Sequence, residues 1–253
     1  GYDMELFRQV AEMLENTGYD EISLSSLSTS DYEQLPEFID FLISECERRK
    51  INITLPSLRI DAFSLDVMSK VQDVKKSSLT FAPEAGSQRM RDVINKGLTV
   101  DDIMNGARDA FLGGWKKVKL YFMLGLPTET EADMEAIPDL AQDIAHLYYD
   151  TLSDKSTRGG RCQITISTSF FVPKPFTPLQ WATMCTPDEY LRRARVVNHR
   201  MKDEPNHKCL LYQWHEAKTT VLEGIFARGD RKVADVIEYA YDHGCFFDAW
   251  NEY

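Results

Sequence analysis

An alternation of short apolar segments with amphipathic helical patterns most constrains how this chain of 253 residues folds. The clearest unit is Lys116–Glu131, KKVKLYFMLGLPTETE, where the apolar run Val118–Leu124 predicts a parallel strand covered on both faces. The run stops at Gly125-Leu126-Pro127, because glycine permits a close backbone approach and proline ends strand pairing. Threonines and acidic residues follow, as at the start of a helix. The unit is therefore strand, tight loop and helix.

The same plan recurs earlier in the chain. Ser78–Ala82 predicts a strand, Pro83–Gly86 predicts a turn, and Ser87 begins a helix that closes at Gly97. Three further strands are expected at Glu21–Leu27, Ile53–Ile60 and Gln163–Val172. Strands that alternate with helices predict an α/β fold with a parallel sheet, open or curled into a barrel.

The chain is expected to divide near residue 182. The strand and helix units occupy residues 1–182, whereas the pattern over residues 183–253 is helical throughout, beginning at Thr186-Pro187. We therefore predict a partial barrel followed by a helical C-terminal extension.

Composition argues against several classes of protein. A net charge of -11 and a pI near 5.0 disfavour a surface that coats nucleic acid, because phosphate neutralisation needs a basic face. The five cysteines are far apart and the five histidines show no metal-binding spacing, so no metal ligands are predicted. No apolar run approaches a membrane span and no signal peptide is present, so we expect a cytoplasmic protein with reduced thiols. The chain begins inside a helical pattern, which predicts a natural protein longer than this chain.

Candidate binding residues are those that directly follow the predicted strands, because ligands of parallel α/β folds lie at the carboxyl ends of the strands. They are Ser26, Ser28, Arg59, Glu84, Ser87, Gly125, Leu126, Pro127 and Phe171. Hydroxyl groups also line one face of two strands, at Ser23, Ser25, Thr165, Ser167 and Ser169. An unpaired buried hydroxyl costs about 1 to 3 kcal/mol, so either the interior is wet or ligand-filled, or neighbouring groups satisfy the hydroxyls.

Two segments, APEAGSQRMRDVINKGLT and then KLYFMLGLPTET, resemble the radical S-adenosylmethionine (SAM) superfamily. The likeness is to the branch that often carries a cobalamin-binding domain. Phe170–Trp181, FFVPKPFTPLQW, and Ala227–Val233, ARGDRKV, resemble one uncharacterised subfamily of that branch. The resemblance runs from about Thr17 to Tyr253 and implies an incomplete (β/α)6 TIM-like barrel that holds strands two to six. The superfamily's cluster-binding cysteines lie on a C-x3-C-x2-C loop, and this spacing does not occur in the sequence.

The resemblance implies a role for most of the candidate residues. Glu84 would contact the SAM ribose, and Gly125–Pro127 would contact the adenine. Arg59 would hold the methionyl carboxylate and Ser26 or Ser28 its ammonium, although the usual G-G-E of that turn is replaced by SSLSTSD. The residues alone also allow purely structural roles. These are a helix cap at Glu84, a simple turn at Gly125–Pro127 and a surface ion pair at Arg59.

For the full-length protein the resemblance implies a [4Fe-4S] cluster bound upstream of this chain and SAM as the source of a 5'-deoxyadenosyl radical. The reaction would be an oxidation or a methyl or methylthio transfer on RNA or a small molecule, with cobalamin a candidate further cofactor. This chain alone, without a cysteine triad, is expected to be inactive. The missing first strand would leave an open barrel edge, which predicts either a homodimer or an edge covered by the N-terminal helix. The alternative is a non-enzymatic α/β partner-binding or RNA-binding module that uses the basic helix near Arg192 and the proline-rich segment Phe171–Trp181.

Overall fold

The structure is a computed structural model that describes residues 2–19, 21–23, 37–38, 40–44, 52–54, 79–155 and 158–245. Its residues form two compact units, each built from several stretches of chain. One contains the described parts of residues 1–83, 98–120 and 143–165, and the other contains those of 84–97, 121–142 and 166–245. The candidate site residues that are described, from Glu84 to Phe171, all lie in the second unit. The predicted division near residue 182 stays a prediction.

The N-terminal part of the chain contains one helix and a pair of strands. Helix α1 spans Tyr2–Thr17, and strands β1 (Glu21–Ser23) and β2 (Asn52–Thr54) pair in parallel. Residues 37–38 and 40–44 are also helical. These elements confirm the expected helix and both strands over the described residues. Three candidate binding residues, Ser26, Ser28 and Arg59, lie outside the described residues.

Four strands form a second, parallel sheet in the order β3-β4-β5-β6. They are β3 (Leu79–Glu84), β4 (Lys117–Leu124), β5 (Gln163–Phe170) and β6 (Leu210–Trp214). The helices around them are α2 (Gln88–Val93), α3 (Val100–Leu112), α4 (Glu131–Thr151), α5 (Pro187–Asp203), α6 (Ala217–Arg228) and α7 (Val233–Asp242), with a 3-10 turn at His207–Cys209. The predicted α/β fold is therefore confirmed.

Three details of the sheet differ from the sequence prediction. β3 extends to Glu84, so Pro83 belongs to the strand, where the end position of β3 in the sheet tolerates a residue without an N–H. β4 is buried on one face, whereas the other face is partly exposed at Tyr121 and Met123. β6 lies in the region predicted to be helical. A strand of five residues is too short for its pattern to be separated from a helical one.

Helix ends follow their predicted caps, with one exception. Thr186 begins α5 with Pro187 in its first turn, as predicted, and Thr99 begins α3 in a capping box with Asp102. α2 instead ends at Val93, four residues before Gly97. Asn95 takes a φ of 54° and the N–H of Lys96 bonds to a carbonyl of the preceding turn at 2.9 Å, which is a Schellman ending. This ending determines where the Lys96 backbone leaves the helix.

The core of the first unit is built on aromatic packing. The rings of Phe111 in α3 and Tyr148 in α4 meet edge to face with centroids 5.0 Å apart, and both side chains are buried. The Tyr148 hydroxyl donates to the Gly160 carbonyl at 2.9 Å, which satisfies its polar end.

Within the described part of the chain, no helix combines the length and the apolar character that a membrane span requires.

Candidate functional site

The segments that follow β3, β4 and β5 share one buried apolar cluster. Ala85 follows β3, Leu126 follows β4 and Phe171 follows β5, and their side chains pack together with that of Met90. The carboxyl ends of parallel strands meet at one edge of a sheet, which explains why residues so distant in sequence are neighbours here. The structure thus brings together Leu126 and Phe171, two of the predicted site residues, beside the turn that follows Glu84.

Glu84 ends β3 with its backbone in the left-handed region, at a φ of 67°. This conformation is uncommon for a residue with a side chain, and such residues cluster at functional sites. The carboxylate accepts a hydrogen bond from the Lys96 ammonium at 3.3 Å, and both side chains are about one-third exposed. The cap of α2 is Ser87, whose hydroxyl accepts from the Met90 N–H at 3.1 Å. The Glu84 carboxylate faces Lys96 at the carboxyl edge of the sheet.

Sequence reasoning missed Lys96. Its signal is the N-K-G sequence after α2, where an asparagine in the left-handed region turns the chain and begins a Schellman ending. A helix closing at Gly97 would place Lys96 on the last helical turn instead. The contact with Glu84 depends on that difference, so the lysine is recognised only once the end of α2 is known.

Ser87 links two helix N-termini through the carboxylate of Asp133. Its hydroxyl donates to Asp133 at 2.6 Å, and the hydroxyl and N–H of Thr130 donate to the same carboxylate at 2.6 and 2.8 Å. Arg89 completes the set with an ion pair. Burial raises the pKa of Asp133, but the hydrogen bonds from Arg89, Ser87 and Thr130 outweigh it and hold the pKa well below its usual range. The turn after β3 is thereby joined to the start of α4.

Arg91 and Gly86 determine the backbone of that turn. Arg91 is fully buried, and its Nη1 donates to the carbonyls of Ala85 and Gly86 at 2.9 and 2.8 Å. Burial lowers the pKa of Arg91 from its ordinary value. A Cβ added to Gly86 would lie 2.4 Å from the backbone nitrogen of Ile137, so only glycine allows α4 to pack this closely. The segment that follows Glu84 is therefore rigid.

The loop after β4 is held by its own acidic residue. Gly125 has a φ of 87°, and its N–H donates to the Glu129 carboxylate at 2.8 Å. The Glu129 N–H in turn donates to the Leu126 carbonyl at 3.1 Å. Pro127, which follows Leu126 in the loop, is half-buried. The Gly125 N–H is thus already used within the loop, and the apolar contact that Gly125–Pro127 offers a ligand comes from Leu126.

Three hydroxyl groups of β5 have protein partners. Ser167 accepts a hydrogen bond from the Gln213 side chain at 3.4 Å, and Ser169 donates to the Phe122 carbonyl at 3.5 Å. The hydroxyls of Thr168 and Tyr212 are 3.0 Å apart. Of the two interpretations that the sequence left open, the one in which neighbouring groups satisfy the hydroxyls holds at Ser167 and Ser169.

The residues of this chain do not fit a [4Fe-4S] cluster. Iron-sulfur clusters are held by cysteine thiolates, and no C-x3-C-x2-C spacing occurs in the sequence. Among the residues that the structure describes, no three His, Cys, Asp or Glu side chains come together as metal ligands. Cys162 and Cys209 are both buried, and they belong to different units. The chain does hold polar groups suited to SAM, because the Glu84 carboxylate is an acceptor and the Lys96 ammonium is a donor beside the buried apolar cluster.

Comparisons with known proteins place the chain in a family. The radical SAM superfamily profile matches residues 2–141, which is more than half of the chain. An uncharacterized protein of Methanocaldococcus jannaschii is 29% identical over 219 residues, covering 87% of this chain and 44% of that protein. The chain thus spans less than half the length of this relative.

Two crystal structures of the Paramecium bursaria Chlorella virus arginine decarboxylase also overlap with the chain, one of them bound to agmatine. Their TM-scores are both 0.36 at 11% and 12% identity, with 83% and 82% of this chain and 55% and 54% of theirs covered. An overlap this loose carries no conclusion. On the strength of the profile match over residues 2–141, the chain belongs to the radical SAM superfamily.

Proposed function

We propose that this chain is the SAM-binding part of a radical SAM enzyme. The observation that carries the proposal is the convergence of Glu84, Leu126 and Phe171 at the carboxyl ends of three neighbouring parallel strands. Ligands of open α/β sheets bind at this edge. Reductively cleaved SAM supplies a carbon radical that abstracts hydrogen, and the full-length protein would use it for an oxidation or for a methyl or methylthio transfer.

Three parts of SAM have a complementary group in the proposed site. The Glu84 carboxylate has acceptor positions for two ribose hydroxyls. The Lys96 ammonium suits the methionyl carboxylate, a role that the sequence had assigned to Arg59. Leu126 and Phe171 are buried and would back the adenine from below the loop surface. Binding would replace the Glu84–Lys96 ion pair, and this costs little because partly exposed ion pairs are weak.

We also propose that this chain does not cleave SAM by itself. Its cysteines do not fit the cluster, so the cluster ligands would come from outside the 253 residues. Without the cluster, the SAM affinity of the chain would be modest. Cobalamin and a homodimer through an open sheet edge stay predictions from the sequence.

A binding experiment tests the site. SAM is titrated into the chain by isothermal titration calorimetry, together with the variants Glu84→Gln and Lys96→Gln. Each variant should lose about tenfold in affinity, because a hydrogen bond to a charged group is removed. Glu223→Gln is the matched control, since Glu223 pairs with Lys174 and neither residue belongs to the apolar cluster around Leu126 and Phe171. Equal affinities in all four proteins would show that Glu84 and Lys96 do not bind SAM.

An activity experiment tests the chemistry. The full-length protein and this chain are each reconstituted anaerobically with iron and sulfide, and 5'-deoxyadenosine is measured after addition of SAM and dithionite. The full-length protein should form the product and this chain should not. Product from the chain alone would contradict its proposed inactivity. A full-length protein with neither cluster nor product would favour the binding-module alternative.

The RNA-binding alternative has weaker support, because the basic helix α5 is largely neutralised by ion pairs. They join Arg192 to Glu189, Arg193 to Glu129 and Glu189, and Arg200 to Asp139 and Glu204. Guanidinium groups already paired with carboxylates release fewer counterions from a phosphate backbone. An RNA affinity that depends on salt and is lost on substitution of Arg192 and Arg195 would reverse this preference.

A further inference from the structure

Helix α5 contacts both loops of the proposed SAM site that follow β4 and β5. The helix begins after the Thr186 cap with Pro187 in its first turn. Tyr190 and Arg193, in its first two turns, make the contacts described below. Both residues lie beyond the segment 2–141 that matches the superfamily profile. The C-terminal part of the chain therefore contacts two loops of the proposed SAM site.

Arg193 holds the loop after β4 through Glu129. Its Nη1 donates to Oε2 of Glu129 at 2.6 Å, and this same oxygen accepts the Gly125 N–H at 2.8 Å. The Glu129 side chain is only 3% exposed and that of Arg193 is 16% exposed. A second carboxylate, Glu189, accepts from Nε of Arg193 at 2.8 Å and orients the guanidinium. A buried carboxylate is stable only when it is paired with a cation, so Arg193 holds the Glu129 carboxylate in place. Because Glu129 in turn bonds the Gly125 N–H, the position of Gly125 depends on Arg193.

Tyr190 touches both loops at once. Its ring covers Gly125 so closely that an added Cβ would lie 2.6 Å from Cε1. Its hydroxyl donates to the Phe171 carbonyl, and its ring stacks on Phe170 with centroids 4.5 Å apart. The side chain is fully buried. A single residue of α5 thus sets the spacing between the loop after β4 and the loop after β5.

We propose that Tyr190 and Arg193 are positioning residues of the SAM site, which α5 completes. They act through the backbone of Gly125 and Phe171, whose neighbouring side chains form the apolar surface for the adenine. The proposal rests on the proposed function. It predicts that SAM affinity depends on the C-terminal region of this chain as well as on Glu84.

The test uses the whole chain and SAM itself as the probe. Tyr190→Phe removes only the hydroxyl that bonds Phe171, and Glu129→Gln removes only the charge that Arg193 meets. Each should lower SAM affinity by about three- to tenfold, as expected for the loss of one hydrogen bond. Arg200→Gln is the control, because this arginine of the same helix pairs with Asp139 and Glu204 instead. Its affinity should match that of the unaltered chain.

Two further measurements separate positioning from stability. Circular dichroism gives the folded fraction at the titration temperature, and affinities are compared only for folded protein. Amide hydrogen exchange should become faster at Gly125 in Glu129→Gln and at Phe171 in Tyr190→Phe, and Arg193→Lys, which keeps the charge, should retain part of the affinity. Folded variants that bind SAM as well as the unaltered chain would overturn the positioning roles and leave the proposed function intact. An unaltered chain that binds no SAM would overturn both.

Discussion

The hydroxyl of Ser87 donates a hydrogen bond of 2.6 Å to the carboxylate of Asp133 in the first turn of α4. The two residues are far apart in sequence, and each belongs to a helix that follows a different strand of the sheet. One carboxylate therefore serves two helix N-termini, where the partial positive charge of the helix dipole favours an anion. Because Ser87 closes the turn that follows Glu84, this contact joins the proposed ribose-binding turn to the helix behind the next loop.

Asp133→Asn should destabilise the protein by about 2 to 3 kcal/mol, since the Arg89 ion pair is lost and the hydroxyls of Ser87 and Thr130 lose a charged acceptor. Urea unfolding followed by circular dichroism measures the change. Asp92→Asn is the control, because Asp92 is exposed and accepts from a neighbour on its own helix. A loss no larger in Asp133→Asn than in the control would show that the carboxylate does not join the helices.

Stability should fall in acid in a way that depends on Asp133 and Glu189. Hydrogen bonds from Arg192 and Arg193 lower the pKa of Glu189 to about 2, and the pKa of Asp133 is also lowered. A carboxyl group whose pKa is lower in the folded state stabilises above its unfolded pKa, near 4, and this contribution is lost as the pH falls through the folded pKa.

Urea midpoints measured from pH 6 to pH 2 check this dependence. The difference in stability between the unaltered chain and Asp133→Asn should be full above pH 5 and should narrow steadily below about pH 4. A difference that stays constant down to pH 2 would mean that the Asp133 pKa is the same in the folded and unfolded chain.

Gly86→Ala should destabilise the protein by about 2 to 3 kcal/mol, because the new Cβ would overlap the backbone of α4 near Ile137 and a backbone cannot move aside as a side chain can. Gly159→Ala is the matched control, since the nearest atom to its Cβ is the end of the Lys116 side chain at 3.8 Å. Thermal unfolding measures both. Equal midpoints for the two variants would contradict the close packing at Gly86.

Stability should also fall in alkali. Burial raises the pKa of Tyr190 to about 12 and raises that of Tyr212 as well. A phenol whose pKa is higher in the folded state stabilises below its unfolded pKa, near 10, and this contribution is lost as the pH rises toward the folded pKa. Unfolding midpoints should therefore decline between about pH 10 and pH 12.

Tyr212→Phe isolates one of these phenols. At pH 8 the variant should lose about 1 kcal/mol with the hydrogen bond to Thr168, and its alkaline decline should be shallower than that of the unaltered chain. The exposed Tyr241 provides the control substitution, Tyr241→Phe. A decline just as steep in Tyr212→Phe would exclude Tyr212 as its source.

The sequence predicted the parts of the site that follow from strand order. Glu84, Leu126 and Phe171 were selected because each follows a strand, and the structure places their segments at one edge of the sheet. It did not predict the partner of Glu84, because Lys96 is placed by how α2 ends, and the ending depends on a single residue in the left-handed region. Ser26, Ser28 and Arg59 stay predictions, since they lie outside the described residues.

The sequence by itself determined the fold class and the helix caps at Thr99 and Thr186. These depend on local propensity and on hydrophobic period, which are properties of neighbouring residues. The tertiary structure alone decided that β6 joins the sheet and that Tyr190 and Arg193 reach the loops at Gly125 and Phe171. Such contacts join residues that are distant in sequence. They depend on how the elements pack against each other, and the local sequence pattern of one element does not specify this packing.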